Sequence, residues 1–75
     1  MSPIYPVVSA RLMVRALERA GFSIDRQSGS HLILKRPSDK RRVTVPVHAQ
    51  DLHLGILKSI LHQAGMSVED LKSFL

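Results

Sequence analysis

The chain changes its hydrophobic rhythm twice, and this change constrains its fold more than any other feature. Before Gly21 the apolar residues Leu12, Met13, Ala16, Leu17 and Ala20 recur three or four positions apart, the spacing of one face of an α-helix. From Phe22 the spacing becomes two: Phe22 and Ile24, then Leu32 and Leu34, then Val43 and Val45, with short loops rich in Ser, Gly, Pro and Asp between the runs. Helical spacing then returns in Ile56, Leu57, Ile60, Leu61 and Ala64. A period of two buries one face of a sheet, so the flanking helices must lie on that face. The expected fold is α+β, a two-layer sandwich in the order helix, three antiparallel strands, helix, with a short last helix to Leu75.

Local signals set the expected boundaries. Ser9 is placed to cap the first helix and Gly21 to end it with a left-handed residue. Gln27, Ser28 and Gly29 read as a three-residue hairpin loop, which sets Ile24 opposite Leu32, Phe22 opposite Leu34 and Asp25 opposite His31. Pro37, Ser38, Asp39 and Lys40 form the second turn, setting Leu34 opposite Val43 and Leu32 opposite Val45. Asp51 is the candidate cap of the second helix and Gly65 its stop. Ser67 with Asp70 three residues later has the form of a capping box.

Strand alternation then fixes the other face of the sheet, which should carry His31, Ile33, Lys35, Arg42, Thr44 and His48. The whole chain of 75 residues has room for one domain, residues 1–75. Eleven Lys and Arg against six Asp and Glu give a net charge of +5, which favours a phosphate-bearing partner, although solubility alone is served by such an excess. Lys35, Arg36, Arg41 and Arg42, with Lys40, gather around one hairpin in a pattern suited to phosphodiester backbone contact. A second basic stripe, Arg11, Arg15 and Arg19, recurs one turn apart on the first helix. One Tyr and two Phe make base stacking a poor candidate for the main binding mode.

With no cysteine, a thiol nucleophile and a thiolate zinc site are excluded. The four histidines show no HxxxH or HxH spacing, so neither a metal nor any small-molecule cofactor is expected. Met1 to Val8 lacks the pattern of a signal peptide and no run of about 20 apolar residues exists, so a cytoplasmic protein without membrane association is expected. His31 enters its strand directly from the turn at Gly29 and Ser30, where its imidazole can stand clear of the sheet. Imidazole titrates near neutrality and can both take and give a proton. Such a group promotes RNA cleavage by activating the 2′-hydroxyl for attack on the adjacent phosphate. An ordinary exposed strand histidine fits the same residues. His48, beyond Pro46-Val47 on the same face, is a possible second acid-base group, whereas His53 and His62 read as solvated positions.

Four ordered segments add a resemblance that spans Arg11 to Leu71. Ala16-Leu17-Glu18-Arg19-Ala20-Gly21-Phe22, Gly29-Ser30-His31, Arg42-Val43-Thr44-Val45-Pro46-Val47-His48 and Gly55-Ile56-Leu57-Lys58-Ser59-Ile60-Leu61-His62-Gln63-Ala64-Gly65 resemble the HicA family of toxins. The resemblance implies a fold like that of double-stranded-RNA-binding domains, an mRNA-cleaving activity and neutralisation by a HicB-like antitoxin protein. It implies that His31, in the glycine-serine-histidine motif, is the catalytic residue. The family commonly has Gly-Thr-Leu where this chain has Gly55-Ile56-Leu57, so a hydroxyl that could cap the helix or hold phosphate is missing there.

The leading expectation is therefore a metal-independent endoribonuclease toxin. The alternative is a non-catalytic double-stranded-RNA or ribosome-binding module, which would survive loss of His31. A DNA-binding helix-turn-helix over Ile56 to Leu75 is a weaker third reading, since only Lys72 on its last helix could reach a groove.

Overall fold

The computed structural model describes residues 4–75, so the part of the N-terminal reading that rests on positions 1–3 lies outside the described residues. The elements follow the expected order: α1 (Ala10–Arg19), β1 (Ser23–Ser28), β2 (His31–Arg36), β3 (Arg41–Pro46), α2 (Leu54–Ala64) and α3 (Val68–Phe74). The strands form one antiparallel sheet in the order β1-β2-β3. The result is the α+β helix-strand-strand-strand-helix layout of a double-stranded-RNA-binding-like domain, completed by a short C-terminal helix.

Ser9 caps α1 by accepting a hydrogen bond from the Leu12 amide at 3.1 Å, an interaction typically worth about 1 kcal/mol. The Gly21 and Phe22 amides close the other end on Glu18 and Leu17 carbonyls. Ala10, Met13, Ala16 and Leu17 form the buried stripe. Leu12, expected on that stripe, is exposed, because it stands about 100° around the helix from Met13.

The β2–β3 hairpin has the expected register, with Leu34 opposite Val43 and Leu32 opposite Val45. The β1–β2 hairpin does not. Its strands run to Ser28 and from His31, so the connection is the two residues Gly29 and Ser30, with Gly29 at φ +57°. Ile24 pairs with Leu34 and Gln27 with Leu32, and a bulge at Asp25 separates the two stretches of ladder. The expected pairs of Ile24 with Leu32, Phe22 with Leu34 and Asp25 with His31 are thus corrected. Ile24 is exposed at the sheet edge, while Phe22 precedes the strand and is buried.

Leu34, Val43 and Val45 face a core completed by Met13 and Leu17 of α1, Leu57, Ile60 and Leu61 of α2, and Leu71 of α3. α2 ends at Gly65, whose φ of +67° supplies the left-handed stop. Its start differs from expectation: His53 occupies the N-cap and makes no side-chain cap bond, and Asp51 lies outside the helix. Neither Asp51 nor a hydroxyl therefore caps the first turn of α2. Ile56, expected on the buried stripe, is exposed in that turn. α3 begins with the reciprocal Ser67 and Asp70 capping box, and Arg19 Nη1 donates to the Phe74 carbonyl at 2.6 Å, holding α3 against α1.

Candidate functional site

Alternation along β2 and β3 sorts the basic hairpin residues into two groups. Arg36 and Arg41 are cross-strand partners in phase with Leu34 and Val43, on the helix side of the sheet. Lys35 and Arg42 are the next pair and take the opposite, uncovered face. Cations adjacent in sequence therefore have different surroundings.

On the helix side, Arg36 is bound from several directions. Its Nε and Nη2 donate to Asp39 Oδ1 and Oδ2 at 3.0 and 2.7 Å, Nη1 donates to the Ala20 carbonyl at 2.8 Å, and Nη2 reaches the Ala64 carbonyl at 3.3 Å. Its guanidinium also lies 4.5 Å from the centre of the Phe22 ring. One side chain thus joins the C-terminal ends of α1 and α2 to the β2–β3 turn, where carbonyls carry partial negative charge. Arg41 Nε contacts Asp39 at 3.2 Å and its Nη1 donates to the Gln63 carbonyl at 3.3 Å. It packs so closely over Gly65 that a Cβ there would stand 2.5 Å from its Cζ. The hydrogen bond from Arg36, with a further one from the Arg41 amide, lowers the Asp39 carboxyl from 3.8 to about 2. The same bond to Asp39 raises Arg36, against a smaller opposing effect of desolvation.

The uncovered face holds the remaining candidates. His31 begins β2 exposed, with Ser28 of β1 and Pro46 of β3 as cross-strand neighbours. Gly29 and Ser30 bring the chain into that position, and the Val47 amide donates to the Ser30 carbonyl at 2.8 Å, extending the pairing past β3. His48 follows in the turn, exposed, at the same end of the sheet. Lys35 and Arg42 lie four residues along the strands from His31 and Pro46, a separation of about 13 Å. Ile33 and Thr44 pair between them. At the hairpin end Lys35, Lys40 and Arg42 line a depression of about 310 Å³ together with Arg36, Pro37 and Arg41, so it belongs to neither face alone.

Asp25 is not beside His31; it forms an ion pair with Lys35 at 3.5 Å. Among the described residues no three His, Cys, Asp or Glu side chains are grouped so as to hold a metal ion. Two features escaped the sequence. Ser28, read as loop, is a strand neighbour of His31, and Arg26 shares the uncovered face opposite Ile33. Both follow from the two-residue turn at Gly29 and Ser30, which stands where a three-residue loop at Gln27 to Gly29 was expected. The commitment of Arg36 and Arg41 to the frame did have a signal, since their parity with Leu34 and Val43 is visible in the sequence.

Among the described residues no helix is long and apolar enough to cross a membrane. A search of curated proteins returned no match. Comparison with protein-family models gave a match over residues 10–66, from the first residue of α1 to just beyond the Gly65 stop of α2, to the family described as the HicA toxin of bacterial toxin-antitoxin systems. That span contains every strand, both long helices and His31, and the chain therefore belongs to the HicA toxin family.

Proposed function

We propose that this chain is the toxin of a toxin-antitoxin pair and acts as an endoribonuclease on mRNA, with His31 as its acid-base catalyst. The observation that carries this reading is the exposure of His31 on a sheet face that also presents Lys35 and Arg42. Lys35 and Arg42 hold backbone phosphates to one side of His31, with Arg26 beside them. Arg36 and Arg41, grouped with them by sequence, act instead by fixing the hairpin against the helices. His31 removes the proton of a 2′-hydroxyl, whose oxygen attacks the adjacent phosphorus. The bond from phosphorus to the 5′-oxygen breaks, and that oxygen takes a proton from His48 or from water. The products are a 2′,3′-cyclic phosphate and a 5′-hydroxyl.

Gly29 and Ser30 position His31. Asp25, whose expected place opposite His31 would have let it position the imidazole, instead moderates the charge of Lys35. No metal enters these steps, since the nucleophile is already carried by the substrate. A HicB-like antitoxin neutralises the toxin by covering His31 or obstructing RNA, and an mRNA substrate places the action in the cytoplasm.

The test is RNA cleavage in excess EDTA, beside a substrate with a single 2′-deoxy substitution at the cut position. Cutting should persist in EDTA with the all-ribose strand and cease at the 2′-deoxy position. Loss of cutting in EDTA, or continued cutting at the 2′-deoxy position, overturns the intramolecular mechanism.

A further inference from the structure

The two edges of the sheet are finished differently. On β3 the Thr44 amide donates to Gln63 Oε1 at 2.9 Å, and Gln63 is itself held by Ser59, so α2 closes that edge. β1, at the other edge, pairs only with β2 and is exposed along its whole length. Between β1 and α1 lies a groove of about 370 Å³ with Val14, Leu32 and Val47 on its floor, Gln27 on one wall, and Arg11 and Arg15 on the other.

Arg11 and Arg15 stand one helical turn apart, and neither forms an ion pair among the described residues. A like-charge pair at this spacing weakens a helix. An apolar floor beside two such cations suits a segment that brings both an aliphatic side chain and carboxylates. RNA would leave the floor unmatched, because its backbone offers charge without aliphatic surface. The groove also adjoins the catalytic end of the sheet: Val47 pairs with Ser30, next to His31, and the Ala10 amide at the start of α1 donates to the Ala49 carbonyl, one residue past His48.

We propose that this groove is a docking site for a short acidic, aliphatic peptide segment of the antitoxin, which rests on the toxin reading above. Carboxylates of the segment face Arg11 and Arg15, while an aliphatic side chain seats on Val14, Leu32 and Val47. Anchored there, the partner stands beside His31 without displacing any residue of the uncovered face. The anchor of the antitoxin and the RNA contact thereby lie on opposite sides of the sheet, and the rest of the partner is left to cover His31.

The experiment is an amide chemical-shift titration of the full chain with two probes. One is a synthetic heptapeptide alternating Glu with Val and Leu; the other is a short single-stranded RNA. The peptide should shift Val14, Gln27, Leu32 and Val47. It should lose at least tenfold in affinity with Arg11→Glu/Arg15→Glu, while a version with Lys in place of Glu should not bind. The RNA should shift Lys35, Arg42 and Thr44, and the same residues should shift after the double substitution, with affinity lowered only by the general loss of positive charge. Peptide shifts confined to the uncovered face, no peptide binding, or RNA shifts in the groove overturn the docking proposal. RNA that binds nowhere and is not cut removes the ribonuclease reading while leaving the peptide result to stand or fall by itself.

Discussion

The β2–β3 hairpin has two ends built from similar residue types with opposite outcomes. At the turn end, Arg36, Asp39 and Arg41 are bonded to one another and to the C-terminal carbonyls of two helices. At the far end, His31 and His48 are exposed. Polar side chains at the first end determine where the strands lie; those at the second remain available to a partner. The two roles are separated along one pair of strands, so substitutions at each end should affect different properties.

The largest expected effect on stability is at Arg36. Arg36→Ala removes charge-assisted bonds to Asp39 and two helix-end carbonyls, and should lower unfolding free energy by about 2–3 kcal/mol, measured by urea denaturation. Arg36→Lys should recover little, since an ammonium cannot reproduce the planar fork. His48→Ala, at the other end, should leave the urea midpoint almost unchanged. Equal losses at Arg36 and His48 would remove the distinction between the ends.

A sharper comparison uses the neighbours Arg41 and Arg42. Arg42→Ala should reduce the slope of log RNA affinity against log salt by about 0.7, the value for one lost phosphate contact on a single strand. Its effect on stability should lie within about 0.5 kcal/mol. Arg41→Ala should leave the salt slope unchanged and lower stability by about 1 kcal/mol through its lost bonds to Asp39 and Gln63. The reverse pattern would mean that Arg41, not Arg42, faces the nucleic acid.

The smallest effect is the acid response of Asp39. Its carboxyl is held at about 2, below its ordinary 3.8, by the Arg36 hydrogen bond. A depressed carboxyl contributes stability that is complete above the ordinary value and is lost as the pH falls toward the depressed one. The stability difference between the native chain and Asp39→Asn should therefore be constant from pH 7 to about pH 4 and shrink between pH 4 and pH 2. A difference that does not change over that window would place the carboxyl outside the network.

These contrasts also explain what the sequence could convey. The β2–β3 register was legible because Leu32, Leu34, Val43 and Val45 alternate cleanly and a four-residue Pro-Ser-Asp-Lys turn separates them. The caps at Ser9 and Ser67 and the stops at Gly21 and Gly65 were legible from local chemistry alone. β1 was not: with a single apolar side chain, Ile24, it has no alternation to fix its register, and the bulge at Asp25 shifts the remainder by one. The turn at Gly29 and Ser30, displaced from the expected loop, gave His31 to Ser28 and left Asp25 against a later part of β2, where it meets Lys35. At the site, the position of His31 followed from its motif, while the use of Arg36 and Arg41 as struts depended on carbonyls of helices distant in sequence. Parity gave a hint of that role, which grouping the cations by proximity obscured.

The most direct test of the role of His31 is single-turnover cleavage by His31→Ala, with RNA affinity and urea midpoint measured on the same preparation. Affinity and midpoint should stay near those of the native chain, because His31 is exposed and contributes no core contact. The cleavage rate should fall by about 10²–10⁴-fold, the usual contribution of a positioned acid-base group. A folded, RNA-binding His31→Ala chain that cuts at the native rate would contradict the assignment of His31 as catalyst.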